Sequence, residues 1–339
     1  MKALVMTGVK KMEVQTDYPK PTPKPNEVLI HTAYAGICGT DKGLYNGLPG
    51  SADAVPPIVL GHANSGVVAA VGSAVTGFKP GNRVSIDPNI YCHNCFYCRT
   101  SRPEFCEHLD AVGVTRDGGF EEFFTAPAEV VYHIPDNVSL KAAAVIEPIS
   151  CAMHAIDLLE LHPYQNALII GAGFEGILMG QILQSSGVRE VTMAARNQEK
   201  LDMLHDKFGF QVVNNKTHPE DIKAESYDIV IEAVGLAATQ EQAVEAARRG
   251  GQVLMFGVGN PDSTFTINSY KIFQKQLKIQ GSFINPYTFE DSIGLLQSGD
   301  VDPLPLMSHE LDLSEVEDFV SGKLTGVTKA IVKVGGENA

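Results

Sequence analysis

The amino-acid sequence predicts an α/β protein built in two styles: a mostly β region from residue 1 to about 145, and a doubly wound parallel sheet beyond it. Two observations predict this. Up to about 145, short apolar or alternating runs (27–32, 65–71, 83–86) are broken by Gly, Pro and Asn, as in compact β structure. From 167 onward, apolar runs alternate with helical segments, the pattern of parallel strands joined by crossover helices.

In the first region, prolines at 19, 21, 23 and 25 exclude a strand centre and predict a surface connection. The run Gly36-Ile37-Cys38-Gly39-Thr40-Asp41 is followed later by Gly61-His62. A thiol, an imidazole and a nearby carboxylate suit zinc; taken alone, they equally suit two buried residues of a β core. The segment Cys92-His93-Asn94-Cys95-Phe96-Tyr97-Cys98, with Cys106, leaves two, two and seven residues between successive cysteines. Four thiolates on one loop can close a tetrahedral zinc shell and so stabilise a lobe (about 88–110) with little core of its own. Cys92, Cys95, Cys98 and Cys106 are therefore expected to hold structural zinc, with His93 a solvated bystander.

Residues 167–197 organise the second region. An apolar run (167–170), the turn Gly171-Ala172-Gly173-Phe174-Glu175-Gly176, a helical segment to about 185 and a second apolar run (191–195) read as strand, turn, helix, strand. The first two glycines permit a tight bend and backbone approach to a pyrophosphate, and Gly176 lets the helix pack on the strand. The helix N-terminus then presents N–H groups to the phosphates. Gly171, Gly173, Phe174, Glu175 and Gly176 are the expected dinucleotide contacts, with Val234 at the end of a strand over 227–234. Where an NAD-binding chain places a carboxylate for the ribose hydroxyls, this one has Ala194-Ala195-Arg196. A 2′-phosphate meets no repulsion there, and the Arg196 guanidinium can fork onto it, with Lys200 a second cation. Ala195, Arg196 and Lys200 thus favour NADP(H), with NAD(H) the alternative if Arg196 merely faces solvent. Helices over 198–208 and 239–249 and strands over 251–258 and 277–283 follow. The alternation stops at about 285, and 328–334 is a last β-like run.

The 339 residues suffice for two cores, and a composition 44% hydrophobic and 19% charged is that of a globular protein. A formal charge of −14 argues against a nucleic-acid partner. The apolar start, 1–6, is too short for a signal peptide and runs into Lys10-Lys11, and no apolar run approaches the roughly 20 residues of a membrane span. A cytosolic protein acting on a small molecule is expected, with its six cysteines as thiols or metal ligands rather than disulfides.

Cys38-Gly39-Thr40-Asp41, Gly61-His62 with Gly66, Val71, Gly72, Phe78, Pro80 and Gly81, the four-cysteine lobe, Asp117-Gly118-Gly119-Phe120, Glu147-Pro148 and the glycine turn occur in this order. Together they resemble the zinc-dependent medium-chain dehydrogenase/reductase family, nearest its sorbitol and polyol dehydrogenase branch, over essentially the whole chain. The resemblance implies a GroES-like, mostly β catalytic domain (1–147 and 286–339) into which a Rossmann domain (148–285) is inserted, with the active site in the cleft between them. It further implies that Cys38, His62 and Glu147 bind a catalytic zinc, giving two zinc ions per chain. Zinc lowers the pKa of an alcohol, whose carbon then gives a hydride to the nicotinamide. Thr40 would relay the substrate proton, unless it only caps a turn; Asp41 would hold the tautomer of His62, unless it only caps a helix. A homodimer or homotetramer is also implied, with strands 251–258 and 277–283 as a sheet edge for pairing.

Two departures stand out. The family usually has Glu after the zinc-binding His; this chain has Ala63, which puts occupancy of the catalytic site in question. Glu175 replaces an apolar residue in the phosphate turn. Cys151, four residues after Glu147, is the competing third ligand, and it and His154 otherwise read as packed helix residues. Lys42 and Arg116 are the cations nearest the motifs should the substrate carry a phosphate. The expected activity is oxidation of a secondary hydroxyl of a polyol or polyol phosphate to a ketose with NAD(P)+. The alternatives are a sugar or threonine dehydrogenase of the same family, or a non-catalytic cofactor-binding protein.

Overall fold

The computed structural model describes the backbone of residues 1–339 and every side chain but that of Asn338. The chain forms two compact units, Met1–Ser150 with Pro286–Ala339, and Cys151–Asn285.

The first unit is built around the strand Glu27–Ile37, buried along nearly its whole length. It pairs antiparallel with Ala63–Val71, Phe123–Pro127 and the late strand Lys329–Lys333. Arg83–Ile86 and Val131–His133 extend the sheet on one side, and Met307–Leu311 lies beyond Lys329–Lys333 on the other. A smaller sheet has Ala3–Gly8 between Lys11–Gln15 and Ile58–Val59. One core cluster joins Leu4, Met6, Ile37, Leu60 and Phe120 to Val316 and Val332, so residues from both ends of the sequence complete one apolar interior. Tyr18 to Asn26 form no regular element, as the prolines require.

The second unit has one six-stranded parallel sheet, ordered 211–214, 190–195, 166–170, 227–232, 247–255, 278–281. This is the 3-2-1-4-5-6 order of the doubly wound dinucleotide-binding fold, whose strand order reverses beside Asn166–Ile170. Residues 167–170 are fully buried, as a strand covered on both faces must be. Helix Phe174–Ser185 is apolar nearly all round, and Gly180 lets it approach the ring of Phe210. Helix Gln198–Phe208 begins where the Asn197 side chain accepts the N–H of Lys200 and ends at left-handed Gly209.

The expected helix over 239–249 is instead Ala237–Ala246. Lys275, 2% exposed, donates to the carbonyls of Ala247 (2.9 Å), Glu245 (3.3 Å) and Val244 (3.4 Å), placing a cation at the helix's C-terminal end. The chain then turns directly into Ala247–Met255. That strand has neighbours on both sides, so of the two strands expected at an edge only Lys278–Gly281 is there; Gln211–Asn214 forms the opposite edge. Among the described residues, no helix is long and apolar enough to cross a membrane.

Candidate active site and metal centres

Cys38 follows the last residue of the central strand and caps helix Gly39–Tyr45. Its N–H donates to Asp41 Oδ2 at 2.8 Å, which fixes the carboxylate of Asp41, fully buried, beneath the cysteine. His62 is placed by a second run. Val59 N–H donates to Asp117 Oδ1 (2.8 Å), Gly118 to Val59 O (3.0 Å) and Gly119 to Gly61 O (2.7 Å), laying Asp117-Gly118-Gly119-Phe120 alongside the segment before the histidine. Gly61, at φ +97°, lies so close to Phe120 that an added Cβ would fall 2.6 Å from the ring. Glu147 is in the first turn of helix Ile146–Asp157 and is 8% exposed.

One ligand atom each from Cys38, Asp41 and His62 lies within 4.8 Å of the others. His62 Nδ1 is 3.3 Å from Asp41 Oδ1, a close contact short of a well-aligned hydrogen bond, and Nε2 is 3.8 Å from Glu147 Oε2. The two ring nitrogens point apart. Asp41 therefore stands behind the imidazole, and Glu147 shares the face on which Nε2 would bind an ion. Burial opposes charging His62, but Asp41, the Cys38 sulfur and Glu147 outweigh it and hold the pKa well above the ordinary value. A pocket this rich in negative charge suits a divalent cation. One sulfur, one imidazole nitrogen and one carboxylate oxygen are a donor set that fits zinc, for which three protein ligands suffice. Ala63 is fully buried in its strand and supplies no donor. Thr40 is half-buried in the first turn of the same helix as Asp41.

Lys329 escaped the sequence reading. It is 4% exposed, and its Nζ lies 3.1 Å from Cys38 Sγ. The signal available was weak: a lysine at the start of a tail strand with no motif around it. Arg116 is not free for a phosphate, because it pairs with Glu27 Oε1 at 2.8 Å. Burial raises the pKa of Glu27, yet Arg116 and the Lys24 N–H bring it below the ordinary range. Lys42 is exposed, and Cys151 and His154 are half-buried in helix Ile146–Asp157.

Cys92, Cys95, Cys98 and Cys106 form a second cluster, each sulfur within 4.8 Å of the others. All are thiols, and Cys92 and Cys98 are 3.9 Å apart, far beyond a disulfide bond. The N–H groups of Cys92, Cys95 and Cys98 donate to the sulfurs of Cys106, Cys92 and Cys95. Such donors pull Cys95 down to about 6, whereas burial and its neighbours push Cys98 up to about 12. Four converging sulfurs fed by backbone N–H groups fit a tetrahedral zinc.

In the second unit, Gly171 has φ +118°, and a Cβ on Gly176 would lie 2.1 Å from the Gly171 carbonyl, so the turn closes only with glycine there. Gly173 caps helix Phe174–Ser185 and has open space where a Cβ would be, a cradle for a phosphate at a helix N-terminus. Glu175 is half-buried in the first turn. At the end of strand Glu190–Ala195, Arg196 is exposed and Lys200 half-buried, its pKa lowered by burial. Asn215 Oδ1, unremarked in the sequence, is buried there with no hydrogen-bond partner among the described residues. Val234 is 42% exposed beyond strand Tyr227–Glu232.

A parallel dinucleotide-type sheet and two cysteine-containing donor clusters define a zinc-type, nucleotide-dependent oxidoreductase. Residues 24–136 match the alcohol dehydrogenase GroES-like domain, and residues 176–298 the zinc-binding dehydrogenase domain. A D-arabinitol dehydrogenase of Uromyces fabae is 31% identical, covering 86% of this chain and 85% of its own. An L-threonine 3-dehydrogenase of Idiomarina loihiensis is 32% identical, covering 98% and 99%. The crystal structure of a zinc-binding dehydrogenase from Sinorhizobium meliloti bound to NADP superposes with a TM-score of 0.93 at 30% identity, covering 98% and 99%. The chain belongs to the zinc-dependent medium-chain dehydrogenase/reductase family. It is an NAD(P)-dependent oxidoreductase acting on the CH–OH group of its donor, which sets aside the non-catalytic alternative.

Proposed function

We propose that the protein oxidises a secondary hydroxyl of a polyol or polyol phosphate to a ketone, with NADP+ preferred over NAD+. The observation that carries this is the cluster of Cys38, Asp41 and His62, with Glu147 Oε2 3.8 Å from His62 Nε2 on the side away from Asp41. When bound, zinc supplies Lewis acidity at the hydroxyl oxygen and the nicotinamide accepts the hydride. Cys38, His62 and Glu147 hold the ion, and Asp41 keeps the proton of His62 on Nδ1 so that Nε2 offers its lone pair. Thr40 takes the hydroxyl proton and passes it to solvent as the carbon loses its hydride, so each alcohol consumed yields one ketone, one reduced cofactor and one proton. Arg196 and Lys200 receive the 2′-phosphate. Cys92, Cys95, Cys98 and Cys106 hold a second, structural zinc.

The relatedness to a D-arabinitol dehydrogenase supports a polyol; that to an L-threonine dehydrogenase supports a hydroxy amino acid as the second reading. The test is nicotinamide reduction on zinc-loaded protein with pentitols, hexitols, their phosphates, sugars and L-threonine, with each cofactor separately. Turnover on a polyol, faster with NADP+, supports the proposal; turnover on threonine alone, or faster with NAD+, replaces the corresponding part. We place the enzyme in the cytosol as a homodimer or homotetramer joined at the edge strand Lys278–Gly281; a monomeric mass in solution would remove that assembly.

A further inference from the structure

A cavity of about 220 Å³ lies in the first unit between the proline-rich connection, which supplies Tyr18 and prolines 19 and 21, and the run 116–125, which supplies Arg116, Asp117, Glu121 and Thr125. None of these residues belongs to either cysteine-containing cluster or to the phosphate turn. Most polar groups on its wall are already paired. Arg116 Nη2 donates to Glu27 Oε1 (2.8 Å) and to Thr125 Oγ1 (3.3 Å). Asp117 Oδ1 accepts the Val59 N–H (2.8 Å) and Oδ2 the Tyr18 hydroxyl (2.9 Å). Glu121 differs. It is 1% exposed, and its Oε2 is buried with no hydrogen-bond partner among the described residues. A buried acceptor left without a donor is costly, and this one belongs to a residue that lines a space able to admit one.

The wall dictates the chemistry of the occupant. Two carboxyl groups, facing a guanidinium that Glu27 already neutralises, favour a cation over an anion. A divalent metal ion wants about six to eight oxygens and is poorly served, because among the described residues no third carboxylate, thiol or imidazole converges on Asp117 and Glu121. A primary ammonium is well served. Its three N–H donors match the Glu121 carboxylate, the second lone pair of Asp117 Oδ2 and the Thr125 hydroxyl oxygen, and the two proline rings with the ring of Tyr18 offer apolar surface to a short aliphatic stem.

We infer that this cavity binds a small aliphatic ammonium compound, with Glu121 as the carboxylate that receives its charge and Asp117 and Thr125 as supporting acceptors. The inference depends neither on the alcohol nor on the cofactor. Burial and Asp117 push the pKa of Glu121 up to about 9, against the opposing pull of the Met1 ammonium, so without a cation at its side the carboxyl keeps its proton at neutral pH. An ammonium group beside it favours the ionised form and displaces that proton. The other charged and titratable groups keep their partners: Arg116 stays on Glu27, the Tyr18 hydroxyl on Asp117, and Met1 donates to Tyr18 O at 2.8 Å.

The experiment is calorimetric titration of zinc-loaded protein at about pH 7 with n-butylammonium, tetramethylammonium and calcium chlorides, repeated on Glu121→Gln and Thr125→Val. n-Butylammonium is expected to bind once per chain with a Kd of about 1 mM, and tetramethylammonium, which has no N–H donor, at least about tenfold more weakly. Glu121→Gln should weaken n-butylammonium about tenfold and Thr125→Val about threefold. Binding to the parent should release about one proton, read with a pH indicator in weak buffer. No binding up to about 20 mM overturns the inference. So does binding without proton release, or calcium bound more tightly than n-butylammonium at a site that Glu121→Gln removes. Equal binding by parent and Glu121→Gln, the result for an amine ligating zinc, also overturns it; should Glu121→Gln not fold, equal binding by parent and Thr125→Val does so.

Discussion

Glu121 offers a stability prediction whose magnitude follows from its surroundings. The side chain is 1% exposed, and Oε2 is buried with no hydrogen-bond partner among the described residues. Burial, with Asp117 nearby, pushes its pKa from 4.5 up to about 9. The native protein therefore carries a neutral carboxyl at neutral pH, while the unfolded chain carries a carboxylate. Because the folded pKa is the higher one, the stabilising contribution is complete below about 4.5 and is lost as pH rises towards about 9. Inside that window each pH unit removes roughly 1 kcal/mol of stability, so this group alone costs roughly 2–3 kcal/mol between about pH 6 and pH 8.

Glu121→Gln removes the titration while keeping the shape. The absolute change is ambiguous in sign, because the new amide must find an acceptor, and an unsatisfied donor costs about 1–3 kcal/mol. The difference between parent and variant across pH is free of that constant. It should shift in favour of the variant by roughly 2–3 kcal/mol from about pH 6 to pH 8. Since the chain contains no tryptophan, the measurement is urea unfolding of the zinc-loaded protein followed by circular dichroism, with the two units fitted as separate transitions where they separate. Parallel stability curves for parent and variant, within about 0.5 kcal/mol, would refute the protonated carboxyl.

Three further outcomes are expected. Thr40→Val should lower kcat by about a hundredfold or more while leaving zinc content at two per chain; unchanged kcat would return Thr40 to a turn cap. Arg196→Ala should raise KM for NADP+ about tenfold and move KM for NAD+ less than about twofold, a loss of about 1.4 kcal/mol specific to the 2′-phosphate. Cys95→Ser should lower bound zinc from two to one per chain and destabilise the lobe; retention of both ions, measured by metal analysis, would sink the four-sulfur site.

What the sequence made legible was what is locally encoded. Helix Gln198–Phe208 could be read because its Asn197 cap and its Gly209 terminus are adjacent to it in the chain. The phosphate turn could be read because three glycines at fixed spacing have few other uses between a strand and a helix. The overrun helix at 237–246 had its stop signal, Lys275, far away in sequence, and propensity alone gave no reason to end there. Strand Ala247–Met255 was misplaced at the sheet edge because strand order is a tertiary fact that periodicity does not carry. Glu232 lay inside the expected strand over 227–234 with no motif around it, and only the fold shows three donors converging on it.

The same distinction bears on Ala63. Read locally, the missing carboxylate weakens the catalytic site. Read with the fold, its absence is matched by the arrangement of charges around Cys38. With a zinc ion bound and His62 neutral, the thiolate of Cys38 and the carboxylates of Asp41 and Glu147 exceed the ion's charge by one, and the ammonium of Lys329 beside Cys38 Sγ closes the balance. A glutamate at 63 would leave an uncompensated negative charge in a buried site, at a cost that grows as the local dielectric falls. On the proposed zinc site, Ala63 and Lys329 would act as a pair: a chain with both would keep three protein ligands on the ion and a neutral shell around it. On this argument Lys329→Met, which removes the cation while keeping the apolar stem, should alter zinc affinity even though Lys329 is not itself a ligand, and equilibrium dialysis against a competing chelator measures it.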